Sequence, residues 1–163
     1  GGDGAQAGPP VPGPGIDIEE IAVPADATGT AVFGPGEQAL LAACQEGSGE
    51  APEVWFTRFW AAKEAVAKAE GTGFAGRPRD IAVTAAHPDR LTVRVRRPAT
   101  PQPPGTPLDR NTPEVPARVY RVDCVRVANP PGLPPRSYVV AWTNGPDPEP
   151  PGAGADRDEG SES

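Results

Sequence analysis

The sequence predicts an α+β fold in which an antiparallel sheet of three to five strands packs against one long helix. Residues 52–69 carry apolar side chains at helical spacing, and Gly71 follows at a position suited to a helix end. Short β-branched runs bounded by turn residues indicate the strands. These runs occupy residues 16–21, 80–84, 91–95, 118–125 and 137–142. Because four of the runs follow the helix in succession, we expect them to form an antiparallel meander on it.

The distribution of Pro and Gly separates a folded part of the chain from less ordered stretches. The 163 residues include 24 Pro and 20 Gly, a level close to that of disordered sequence, but most apolar residues lie elsewhere. We expect a flexible segment at 1–14, one domain at 15–143 with a Pro-rich surface loop at 98–116, and a disordered acidic tail at 144–163. Within the domain, a shorter helix is predicted over 37–44, ending before Gly47.

Composition excludes several classes of function. The densest basic run, 90–97, has no interleaved aromatic residues, so we expect no nucleic-acid partner. No apolar run reaches the ~18 residues of a membrane span, and the first residues lack a signal-peptide pattern, so we expect no membrane partner and a cytoplasmic location. Cys44 and Cys124 lie 80 residues apart without metal-binding spacing. Two buried thiols are therefore favoured over a zinc site or a disulfide.

Two acidic residues share one side of the first predicted strand. Its alternation with period two places Ile16 and Ile18 on one side and Asp17 and Glu19 on the other. Carboxylate oxygens are hard ligands, which suit Mg²⁺ bridging phosphate groups better than a soft metal. This strand is therefore a candidate for a magnesium site that needs a third ligand.

A charged stripe on the long helix offers that ligand. Glu64 lies four residues after Trp60 and four before Lys68, and Lys63 is its neighbour. Lys63 and Lys68 are the only two lysines among 15 basic residues, and Lys is a compact charge able to reach a phosphate. The alternative is an ordinary exposed Glu64–Lys68 pair worth a few tenths of a kcal/mol. The residues alone leave both interpretations open.

Taken together, the two segments resemble the signature motifs of the 4′-phosphopantetheinyl transferase superfamily. The segments are Gly15-Ile16-Asp17-Ile18-Glu19 and Trp60-x-x-Lys63-Glu64-x-x-x-Lys68-Ala69-x-Gly71. Their order, their separation of about 45 residues and their strand-then-helix placement all agree with the family, over about residues 15–143. The resemblance implies the half-fold of this superfamily. It also implies Mg²⁺-dependent transfer of 4′-phosphopantetheine from coenzyme A to a serine of an acyl or peptidyl carrier protein, the holo-acyl-carrier-protein synthase reaction.

The resemblance further implies roles for five residues. Asp17, Glu19 and Glu64 would hold Mg²⁺ against the coenzyme A pyrophosphate. Glu64 would be the catalytic base for the serine proton. Lys63 and Lys68 would contact coenzyme A phosphates, and Lys68 would also act in catalysis at the leaving group.

Two branches of the superfamily fit the motifs differently. The small trimeric synthases usually end in a Ser-His strand, which the predicted strand 137–142 lacks, and the one histidine, His87, lies in a turn. The run 118–142 more resembles the second half of the larger surfactin-type enzymes, which are built from two similar halves. We therefore favour a C-terminal half, or a domain of a polyketide or fatty-acid synthase, that pairs with a homologous half or self-associates.

Two other functions remain open from the sequence. One is a catalytically incomplete half that acts in carrier-protein docking or assembly. The other is an unrelated magnesium phosphatase or nucleotidyl enzyme with the same acids, for which the chain offers no Gly-rich Lys-Ser/Thr phosphate loop.

Overall fold

The computed structural model describes residues 11–23, 32–71, 73, 78–100, 102–103, 106 and 111–148. The helices are α1 (Pro35–Ser48) and α2 (Pro52–Glu70), and a short 3₁₀ turn spans Pro78–Asp80. The strands are β1 (Gly15–Glu20), β2 (Ile81–His87), β3 (Arg90–Pro98), β4 (Glu114–Ala128) and β5 (Ser137–Thr143). The predicted α+β class and the long helix are confirmed.

The sheet has five strands in the order β1-β5-β4-β3-β2, and every neighbouring pair is antiparallel. Strands β2 to β5 form the predicted meander. Strand β1 adds to the far edge beside β5, with Asp17 opposite Ala141 and Glu19 opposite Val139. The first strand of the chain therefore lies beside the last.

Helix α2 crosses one face of the sheet, and the core lies between them. Its central residues are fully or almost fully buried and come from the helix and four strands; they are Phe59, Ala62, Val66, Ile81, Leu91, Val93, Tyr120, Val122 and Val139. Alanine recurs on the buried side of the helix, at Ala61, Ala65 and Ala69 among others. Small side chains allow the helix axis to lie close to the sheet.

The first residue of β1, Gly15, lies too close to α2 to carry a side chain. A Cβ atom on Gly15 would lie 2.1 Å from the carbonyl oxygen of Ala65 and 2.8 Å from the backbone nitrogen of Ala69. Just before the strand, the Gly13 N–H donates to the Ala69 carbonyl oxygen at 3.0 Å. The glycine of the first motif is thus needed for backbone contact between strand and helix.

The opposite face of the sheet, which we call the outer face, exposes apolar side chains. Ile16 and Ile18 are 55% and 60% exposed. Their partners across β5 are Trp142 and Val140, and Val140 is in turn opposite Val125 of β4. Strand β1 therefore directs its isoleucines outward and its acids toward the helix.

Three predicted boundaries need correction. Helix α1 continues past Gly47 to Ser48, because the chain leaves the helix only at Gly49, whose φ of 78° is left-handed. The predicted loop 98–116 is shorter, since Pro98 belongs to β3 and residues 114–116 belong to β4. The start of the predicted tail is attached to the sheet, because the Asp147 N–H donates to the Val119 carbonyl at 2.7 Å. Residues 1–10 and 149–163 lie outside the described part.

Within the described residues, neither helix is long and apolar enough to cross a membrane.

Candidate active site

The acidic side of β1 meets the charged stripe of α2. Asp17 is buried, with only 6% of its surface exposed. The Lys68 ammonium donates to its Oδ1 atom at 2.8 Å, while 54% of the Lys68 side chain remains exposed. The predicted strand and helix motifs are therefore in direct contact, although Asp17 and Lys68 are 51 residues apart in sequence.

Among the described residues, no N–H or hydroxyl group donates to the second oxygen of Asp17. Oδ2 is buried, and the hydrogen bond between Asp17 and Glu19 forms only when one of these two carboxyl groups is protonated. A buried carboxylate oxygen without a donor is unfavourable unless a cation or another polar group satisfies it. This atom is the strongest structural sign that the site accepts a positively charged group.

Glu19 and Glu64 belong to the same electrostatic cluster. Burial raises the pKa of Glu19 to about 7, with further contributions from a hydrogen bond to Asp17 and from the charges of Asp17 and Glu64. Burial, followed by the charge of Asp17, also raises the pKa of Glu64. The hydrogen bond to Asp17 also raises the pKa of Lys68, which for an amine favours the charged form. The three carboxylates thus repel one another, and a single ammonium only partly compensates for them.

The three carboxylates have the right chemistry for a hard divalent cation, but their present arrangement does not form a set of metal ligands. Asp17, Glu19 and Glu64 supply only oxygen ligands, as Mg²⁺ prefers, and Asp17 Oδ2 is available. Within the described part of the chain, however, no three acidic, histidine or cysteine side chains are arranged as a group that could hold a metal ion. Closing a ligand set around a cation would require the glutamate side chains to rotate.

Lys63 lies in a different environment from the other four predicted site residues. Its side chain is fully buried, and its ammonium donates to both carboxylate oxygens of Glu37 at 2.8 and 3.1 Å and to the carbonyl oxygen of Val32 at 2.5 Å. Burial lowers the pKa of Lys63, and the Glu37 carboxylate opposes that shift. The structure therefore brings together Asp17, Glu19, Glu64 and Lys68 but places Lys63 between α1 and α2.

Glu37 is the residue that sequence reasoning missed. It is 4% exposed, and besides Lys63 it accepts hydrogen bonds from the backbone N–H groups of Val83, at 2.8 Å, and Gly34, at 3.2 Å. It thereby connects α1, α2 and β2, and it lines a cleft of about 370 Å³ between α1 and β2. An acid in the first turn of α1 is also typical of an ordinary helix start, so its sequence signal was weak.

The comparison with protein families identifies the superfamily of the chain. The family model of the 4′-phosphopantetheinyl transferase superfamily matches residues 13–109, which include β1, both helices and all five predicted site residues. The chain belongs to this superfamily of transferases. No curated protein and no solved structure matches the chain.

Proposed function

We propose that this chain catalyses Mg²⁺-dependent transfer of 4′-phosphopantetheine from coenzyme A to a serine hydroxyl of an acyl or peptidyl carrier protein. The observation that supports this most is the buried Asp17 carboxylate, which lies beside Glu64 and Lys68 of the second family motif. No N–H or hydroxyl group of the described residues donates to its Oδ2 atom. A transferase of this kind acts where coenzyme A and carrier proteins occur together, for which we propose the cytoplasm and polyketide or fatty-acid synthesis.

Asp17, Glu19 and Glu64 would hold the metal. When bound, Mg²⁺ neutralises charge on the phosphate oxygens and aligns the displacement. Glu64 is the proposed base for the serine proton, and the raised pKa that burial gives it increases its affinity for that proton. Lys68 is exposed enough to contact a phosphate or the leaving group.

The proposed contact of Lys63 with coenzyme A has less support. Its ammonium is fully enclosed by Glu37, Val32 and the ring of Phe33, whose centroid lies 4.9 Å away. A phosphate would reach Lys63 only if this ion pair opened. Direct binding by Lys63 stays a prediction, and Lys68 is the better candidate for phosphate contact.

Mass spectrometry of a carrier protein tests the proposal. Apo carrier protein incubated with the chain, coenzyme A and Mg²⁺ should gain the mass of phosphopantetheine, and omission of Mg²⁺ should abolish the gain. Glu64→Ala should remove the activity without unfolding the protein. Glu46→Ala, which removes an exposed acid of α1, is the matched control and should leave activity unchanged. Normal modification by a folded Glu64→Ala variant would contradict the assigned role.

We further propose that the chain pairs with a second copy of the same fold, as a homologous half or by self-association. The exposed apolar outer face of β1, β5 and β4 supports this, because a two-fold contact would cover the face with its own equivalent. Sedimentation of wild type and of Ile18→Lys tests it. A wild type that stays monomeric at high concentration would contradict self-association.

A docking role without catalysis is the second candidate. It is favoured by the absence, in the described residues, of three side chains already arranged to hold a metal ion. Calorimetry with coenzyme A, in the presence and absence of Mg²⁺, separates the two functions. Metal-dependent binding supports the transferase, whereas carrier-protein binding without it supports docking.

A further inference from the structure

Lys68 reaches the metal-binding side of β1 from the solvent. It lies one helical turn after Glu64 on α2, and its ammonium extends to Oδ1 of Asp17 at 2.8 Å. The two partners are buried very differently, with side-chain exposures of 54% for Lys68 and 7% for Asp17. The lysine can therefore leave the pair by rotating into water, whereas the aspartate is fixed in the interior.

The Lys68 ammonium supplies the positive charge that the buried Asp17 needs. Among the described residues, Lys68 is the cation that contacts Asp17, and the other polar neighbour of the Asp17 carboxylate is the carboxyl group of Glu19. A buried carboxylate without a nearby cation would be strongly unfavourable. Lys68 therefore stabilises the folded protein through the same carboxylate that is proposed to bind a metal.

A divalent ion and the ammonium would compete at this carboxylate. The ammonium already contacts Oδ1 of Asp17 at 2.8 Å, so an ion bound by the same carboxylate would lie near it, and the two positive charges would repel. The flexible four-carbon chain of Lys offers a simple relief of this repulsion. The Lys68 side chain is 54% exposed, so the ammonium can turn toward solvent, where a phosphate group could meet it.

We propose that Lys68 is an exchangeable counter-ion of Asp17, which a divalent cation displaces on binding and which is thereby freed to contact a substrate phosphate. The inference deepens the proposed function and rests on it. The lysine holds the acidic side of β1 together before the metal binds. After exchange, the same ammonium changes from a competitor of the metal to a ligand of the substrate.

The lysine content of the chain allows a direct test by NMR. Lys63 and Lys68 are the only lysines, so protein labelled with ¹³C at the lysine Cε position gives two side-chain signals, which Lys68→Gln assigns. Titration with Mg²⁺, without coenzyme A, should move the Lys68 signal toward that of a solvated lysine. The Lys63 signal, from a fully buried side chain, is the internal control and should stay in place.

Metal affinity provides the second measurement. Electron paramagnetic resonance counts free Mn²⁺ in the presence of the full chain, and we expect Lys68→Gln to bind Mn²⁺ roughly three- to tenfold more tightly than wild type. Arg121→Gln removes a positive charge from a side chain that is 67% exposed and pairs with Asp147, and it should leave the affinity unchanged.

The outcomes separate the exchange from the proposed function. If wild type binds the metal but its Lys68 signal does not move, or if Lys68→Gln binds no more tightly, the exchange is refuted and the metal-dependent function stands. If neither protein binds Mn²⁺ or Mg²⁺, both proposals are refuted.

Discussion

Replacing Gly15 by alanine tests whether the close contact between β1 and α2 shapes the site. The added Cβ would lie 2.1 Å from the Ala65 carbonyl oxygen, 2.8 Å from the Ala69 nitrogen and 3.1 Å from the Ala69 Cβ. Ordinary carbon contacts are about 3.5 Å or longer, so the strand would have to move away from the helix by roughly 1 Å. Overpacking of this kind costs about 1–3 kcal/mol. We expect the upper part of that range, because two of the three obstructing atoms belong to the helix backbone.

Urea unfolding, followed by the fluorescence of the three tryptophans, measures this change. Gly13→Ala is the matched control, since its Cβ would meet nothing within 4 Å and its backbone N–H bond to Ala69 is retained. The control should lie within about 0.5 kcal/mol of wild type. Gly15→Ala should also weaken Mn²⁺ binding, because the strand shift moves Asp17 away from Glu64. A Gly15→Ala protein as stable as the control would refute the argument that moving β1 away from α2 lowers the free energy of unfolding.

Two other predictions concern charged groups of the interior. The pKa of Glu19 rises from 4.5 to about 7 on folding, so the folded protein binds more protons than the unfolded chain within that window, and stability falls as the pH rises through it. After allowance for solvent screening we expect a loss of about 1 kcal/mol between pH 5 and 8, which Glu19→Gln should reduce in urea unfolding at the two pH values. The raised pKa of Glu64 should leave a smaller pH dependence of the same sign. Lys63→Met leaves the buried Glu37 without its cation and should destabilise the fold by about 3–5 kcal/mol. Adding Glu37→Gln should recover part of this, whereas equal stability of wild type and Lys63→Met would mean that the ion pair contributes nothing.

Strand β1 shows what the sequence pattern can and cannot predict. The alternation correctly separated Asp17 and Glu19 from Ile16 and Ile18. It did not indicate which side the helix covers, because periodicity gives only the grouping of side chains. The covered side follows from the backbone contact at Gly15, which is long-range and has no signal in local hydrophobicity.

The two lysines illustrate a second limit. Helical spacing of four residues correctly placed Lys68 on the same side of α2 as Glu64. Lys63 and Lys68 are five residues apart, which corresponds to about 140° around the helix, so their different directions could have been predicted. The partner of Lys63 could not, since Glu37 is 26 residues away on another helix and the ion pair depends on how α1 packs.

The inward-facing acids of β1 lower the local stability of this strand. Strands β3 and β4 are held by fully buried side chains such as Leu91, Val93 and Val122. Strand β1 is attached instead by backbone pairing, by the contact at Gly15 and by the ion pairs of Asp17 with Lys68 and of Glu20 with Arg136. Segments with few apolar contacts open at lower free energy than the core. The amide protons of β1 should therefore exchange with solvent first among the strands, and they should become slower to exchange when a cation binds. Cation binding at one end of the site would then slow amide exchange along the whole of β1, because it would make this strand open less often.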